Sequence, residues 1–225
     1  MSGRYGISRP VTRRKVVRAF NGEGAHQALE SAGFGPRREV FGFNKGQFSF
    51  IDIIDAALQY TGPADAVIAT WTAADADLRR AAETVKNGRF RSLQWIVDYS
   101  FETRQPAFCA TMRELFGDET IRTTASHCKF VLLRADAWRV VMQSSMNLNQ
   151  NKRLENFWIA DDPELFDAYS ELVADLFAIQ KPGAGFGHKP STRRGELSNL
   201  GRPASADPFA GIGSVGTFGA DLFKL

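Results

Sequence analysis

One imidazole, one amine, one hydroxyl, one amide and one carboxylate follow each other in fixed order between His127 and Asn156. His127 and Lys129 lie two residues apart, Ser145 and Asn147 lie two residues apart, and Glu155 comes next. These groups suit the handling of a phosphodiester. Such a group carries one negative charge, and charge builds on its oxygens during displacement. The Lys129 ammonium and the Asn147 amide are the donors for those oxygens, with the Ser145 hydroxyl beside them. A neutral nitrogen of His127 is a nucleophile toward phosphorus if an acceptor holds its other nitrogen, and Glu155 is the candidate acceptor. Attack leaves a phosphohistidine, and a second acid must protonate the leaving oxygen. No carboxylate cluster of metal-binding type accompanies the set, so neither metal nor cofactor is expected.

Strands must position these side chains. Read as a strand, 127–134 sends His127 and Lys129 to one face and Cys128 to the other. Ser145 and Asn147 then follow the end of the next strand, and Glu155 opens the one after. The residues alone leave Ser144 and Ser145 both open as the hydroxyl, with Ser144 expected to be structural. Upstream, strand-like runs at 39–43, 66–71 and 93–97 alternate with helix-like runs after Ser49, over 73–87 capped by Thr72, and over 103–116. This alternation argues for a largely parallel sheet with helices on both sides. The later strands, near 120–124, 128–134, 138–143 and 155–160, crowd together and suggest an antiparallel hairpin in the same mixed sheet. A closing helix carries Leu165, Tyr169, Leu172 and Leu176 on one face. Trp71, Trp95, Trp138 and Trp158 sit in or beside strands and read as core.

The chain divides into a basic arm over 1–36, an α/β domain over 37–180 and a tail over 181–225. Arg4, Arg9, Arg13, Arg14, Lys15 and Arg18 crowd the first twenty positions, where no acid occurs. Arg13, Arg14 and Lys15 are therefore candidate contacts to nucleic-acid phosphates. The tail holds nine of the 20 glycines and lacks any helical or strand period, so it is expected to stay unfolded. Its Gly183-x-Gly185-x-Gly187 follows no strand and is no dinucleotide fingerprint. His26 and His188 receive no role. Two cysteines with no zinc-type spacing suit a reducing, cytoplasmic setting. No apolar run approaches a membrane span, and the basic N-terminus lacks a signal peptide's apolar segment.

His127-x-Lys129, Ser144-Ser145 with Asn147, and Glu155-Asn156 together resemble the signature of the phospholipase D superfamily, whose pattern is H-x-K, a later Asp, G-S-x-N and then Glu. The likeness is tight over 120–160 and looser over 37–178. Arg134 stands where that family carries its Asp, with Asp136 the nearest acid, and Ser144 stands at its Gly. The chain holds the motif once, whereas the family's active site is built from two copies. The resemblance therefore implies a homodimer in which one His127 is nucleophile and its twin is general acid. It implies a mixed α/β sheet flanked by helices and a metal-independent phosphodiesterase. The basic arm favours nucleic acid, DNA ahead of RNA, over lipid. The alternative expectation, suggested by Arg134, is a nucleic-acid-binding or regulatory protein that keeps the phosphate pocket with little turnover. Phospholipid hydrolysis is the weaker third.

Overall fold

The computed structural model describes residues 24–149, 152–183 and 186 of the chain. Arg13, Arg14 and Lys15 lie outside them, as does almost all of the tail. Local chemistry sets the element boundaries. Ser49 and Asp52 form a reciprocal capping box: the Ser49 hydroxyl accepts from the Asp52 N–H, and the Asp52 carboxylate accepts from the Ser49 N–H at 2.6 Å. That cap starts α2 (Phe50–Thr61), which buries Phe50, Ile53, Ile54 and Ala57 and stops at Gly62, φ +71°. Helix α1 (Ala25–Ser31), inside the segment read as a basic arm, packs against α2 through Leu29. Helix α3 (Asp75–Lys86) starts at Ala74 instead of being capped by Thr72. The backbone there is diverted by Ala74 N–H donating to the Leu148 carbonyl at 2.7 Å.

Among the described residues, one mixed sheet holds seven strands in the order β1-β7-β6-β5-β2-β3-β4. Strands β2 (Ala64–Thr70), β3 (Phe90–Asp98) and β4 (Ile121–Thr124) run parallel. Strands β5 (Phe130–Arg134), β6 (Arg139–Ser144), β7 (Glu155–Asp161) and β1 (Glu39–Asn44) join antiparallel. The expected α/β class and mixed sheet are present, but the largely parallel arrangement is not, since two of six strand pairs are parallel. Alternation of strand and helix does not force β1 beside β2. It lies at the far edge against β7, where Gly42 packs under the Phe157 ring, and a Cβ at Gly42 would come within 2.5 Å of that ring.

The two faces of the sheet are covered unequally. Helices α1, α2, α3, α4 (Phe101–Arg104) and α5 (Pro106–Phe116) contribute to the larger core, with Ile68, Trp95, Val131, Met142 and Ile159 from the sheet. Among the described residues, the opposite face carries one helix, α6 (Pro163–Ile179), capped by Asp162 and packed over β5 and β6 on Phe130, Leu132 and Val141. Among the described residues no helix is long and apolar enough to cross a membrane.

Candidate active site

The segment before β5 is not strand. Strand β5 begins at Phe130, three residues after His127, because side chains draw away the N–H groups that a ladder would use. The buried Asp98, at the end of β3, accepts the Ser126 N–H at 3.0 Å and the Ser100 N–H at 3.0 Å. The Ser126 hydroxyl in turn accepts the Cys128 N–H at 3.0 Å. The turn so formed lifts His127 into solvent. It also brings Cys128 onto the same cleft as His127 and Lys129, where strand alternation would have sent it to the other face. Trp71, just past β2, stands against the imidazole with ring centroids 5.3 Å apart. The Arg104 guanidinium lies 3.6 Å over the Trp71 ring, donates to the Trp71 carbonyl at 2.7 Å and sits 3.8 Å from Asp98. Asp98 thus steadies His127 from two directions: through the Ser126 turn and through the Arg104–Trp71 stack.

Lys129 Nζ lies 3.0 Å from His127 Nδ1 and 3.5 Å from Nε2, and donates to the His127 carbonyl at 3.1 Å. An ammonium that close to both ring nitrogens lies beside the ring, not on one in-plane lone pair. A lone pair therefore remains for an electrophile. Both side chains line an open cleft of about 490 Å³, with Gln143, Ser144, Ser145, Asn156 and Tyr169 among its other walls. That volume falls in the small-ligand range of roughly 300–1,000 Å³. Partial burial lowers the Lys129 pKa below the ordinary lysine value, and the nearby Glu155 carboxylate offsets part of the shift. Burial raises the Tyr169 phenol, while a hydrogen bond from Gln143 works against the rise.

The other expected residues are placed unevenly. Ser145 lines the cleft, and its hydroxyl donates to Glu155 and accepts the Asn156 N–H at 3.0 Å. Glu155 therefore serves Ser145, and no hydrogen bond joins it to His127. The cause is register. Ser144 pairs with Phe157, so Ser145 falls opposite Asn156 and the carboxylate of Glu155 reaches the serine first. Asn147 does not line the cleft; its Oδ1 is buried and without a hydrogen-bond partner. Met146 and Leu148 plunge into the core on either side of it and carry its backbone inward. Asn156, which the sequence reading left without a role, takes the position at the cleft instead. Arg134 sits at the opposite end of β5, 3.5 Å from Asp65, so the departure from the family's Asp lies far from the cleft. Ser144 is structural as read, donating to the Asn156 carbonyl at 2.7 Å and accepting the Met146 N–H at 2.9 Å.

Sequence reasoning missed Asp98, Arg104, Trp71, Gln143 and Tyr169, and named Asn156 in the motif without giving it a role. Strand alternation from the buried Phe157 could have placed Asn156 on the same face as Trp158. Tyr169 enters only because α6 docks where it does. Among the described residues no group of three His, Cys, Asp or Glu side chains is disposed to hold a metal ion.

No protein-family model matches the sequence, and no curated protein matches it. Nine chains of solved structures match, among them a polyphosphate kinase from Porphyromonas gingivalis, with a TM-score of 0.47 and 12% identity. The match covers 65% of this chain and 27% of that enzyme. The likeness is one of partial overall shape, and the activity in that enzyme's name is not carried over.

Proposed function

We propose that this chain is a phosphodiesterase acting on nucleic acid through a phosphohistidine, with a homodimer completing the site. The observation that carries the reading is the meeting of His127 and Lys129 at the mouth of one cleft. A nitrogen lone pair of His127 attacks phosphorus, and the bond from phosphorus to the leaving oxygen breaks. The twin subunit's imidazolium gives that oxygen its proton. Water, deprotonated by the now neutral twin imidazole, then attacks phosphorus and releases His127. Lys129, Ser145 and Asn156 surround the anion, and the Lys129 charge offsets what develops on the phosphoryl oxygens. The basic N-terminal run supports nucleic acid, DNA ahead of RNA, over a phospholipid.

Purified full-length protein is incubated with plasmid, single-stranded oligonucleotide and phosphatidylcholine in EDTA. Cleavage of nucleic acid that persists in EDTA, disappears in His127→Ala and leaves an acid-labile phosphate on the wild-type protein supports the reading. Choline release would redirect it to lipid. A strict monomer by light scattering would remove the second imidazole and overturn the dimeric mechanism. One observation favours a second reading, nucleic-acid binding with little turnover: Glu155 is engaged by Ser145 and does not fix the His127 tautomer. Tight, salt-sensitive binding without cleavage would establish that alternative.

A further inference from the structure

We infer that the Tyr169 phenol of α6 is a further binding residue of the cleft, donating its hydroxyl proton to an oxygen of the bound phosphoryl group. The inference rests on the phosphate reading of the cleft and adds a donor from outside the segment between His127 and Asn156. It begins with what the polar groups along the cleft already do. The Ser144 hydroxyl donates to the Asn156 carbonyl at 2.7 Å, and the Ser145 hydroxyl donates to Glu155. The Gln143 amide donates to the Tyr169 oxygen. A phenol has one proton and two lone pairs, so that bond occupies a lone pair and turns the O–H away from the amide. Among the described residues lining the cleft, Tyr169 is thus the hydroxyl whose proton is unspent.

Register brings that proton to the anion. Phe130 pairs with Gln143 across β5 and β6, and one step further the Ser144 N–H donates to the Lys129 carbonyl at 3.2 Å. Tyr169 rests on the first of these steps, through its bond from Gln143 and through the Phe130 ring, which it meets edge to face at 4.8 Å. Lys129 and Ser144 form the second. Adjacent steps lie about 3.4 Å apart along a strand, short enough for one tetrahedral anion in the shared cleft to touch groups from both. The phenol is also held in place. Phe166, three residues before it, and Val173, four after it, lie on the same helix face and are buried in the smaller core. A donor fixed before the ligand arrives loses little freedom on binding.

Protonation supports the same role. Burial raises the Tyr169 pKa, with the Gln143 bond working against the rise, so the phenol keeps its proton to higher pH than an ordinary tyrosine. Lys129 is shifted the other way by burial. The two shifts favour a phenol that still donates as the lysine charge fades. An O–H donated to a charged oxygen is among the stronger hydrogen bonds. Packing alone would be served by phenylalanine, since it is the ring that rests on Phe130. Gln143 is exposed and can bond to water, so its amide does not require the phenol.

The test measures binding of inorganic phosphate to full-length protein near neutral pH. Tyr169→Phe keeps the ring and loses the hydroxyl, so its affinity should fall about tenfold or more, with circular dichroism confirming that it is folded. Phosphate should also perturb the near-ultraviolet tyrosine spectrum of the wild type and leave that of Tyr169→Phe unchanged. Gln143→Leu leaves the phenol in place and should lose less affinity than Tyr169→Phe. The same loss in Tyr169→Phe should appear with a dinucleoside monophosphate and with glycerophosphocholine, because both offer the same phosphoryl oxygens. Unchanged affinity in Tyr169→Phe would overturn the assignment. An equal or larger loss in Gln143→Leu would overturn it too, by making the amide the contact. Lys129→Ala judges the cleft separately. If phosphate binding survives that change the cleft reading fails, whereas a loss there with none in Tyr169→Phe sinks the phenol alone.

Discussion

The two faces of the sheet are made from the same strands and do opposite things. On the larger core, Phe90 and Trp95 of β3 and Phe50 and Phe101 of the helices lose nearly all contact with water. On the other face, among the described residues, one helix covers the middle strands. Beyond it lie the His127 cleft and the exposed Phe41 and Phe43. The larger core lies on the closed face and the groups of the candidate site lie on the open one. Substitutions on the two faces should therefore fail differently, one through folding and one through chemistry.

The sharpest contrast comes from the open face. His127→Ala should lower turnover about 10³-fold or more, because the proposed nucleophile is lost outright. Its melting temperature should move by under about 2 °C, because an exposed side chain adds little packing. A melting temperature that falls with activity would break the comparison. Phe50→Ala should do the reverse. Urea unfolding should show a loss of about 3–5 kcal/mol from the cavity left in the closed face, with turnover per folded molecule unchanged.

Asp98→Asn tests a residue that belongs to both regions. It ends a core strand, yet it holds the Ser126 turn and faces Arg104. Losing its charge should cost about 1–3 kcal/mol of stability. It should also broaden the His127 ring signals in NMR, which a purely structural change elsewhere would not do. The smallest effect is a pH shift. Burial lowers the Lys129 pKa, so its positive charge is lost at a lower pH than that of an ordinary lysine, 10.5. Binding of inorganic phosphate to the free protein should weaken as pH rises through that lowered pKa. Lys129→Arg should carry binding to higher pH. An unshifted midpoint would show that the lysine is effectively solvated.

Much of the fold was legible because its signals are local. Ser49 with Asp52, Gly62, and the apolar runs around Val67 and Ile96 each announce an element within a few residues. The order of strands was not legible. Placing β1 against β7 depends on which edge is open once β2 has paired with β3 and β5, and that competition spans the chain. In the site, His127 with Lys129 could be read from a two-residue spacing. Ser145 could be read as well, because it continues β6. Asn147 and Glu155 were placed by offset alone, and offset fails across a loop. The buried Met146 and Leu148 turn Asn147 away, and register gives Glu155 to Ser145.

The residues alone determined which groups this protein can use: an imidazole, an amine beside it and a serine after the next strand, since covalent neighbours cannot drift apart. Tertiary structure decided what surrounds them. Asp98, Arg104, Trp71, Asn156 and Tyr169 come from five separate elements or their ends, and only the docking of strands and of α6 brings them to His127. The physical reason is that hydrogen-bond registers and buried apolar faces are satisfied across the whole sheet at once, so no local window of sequence contains them.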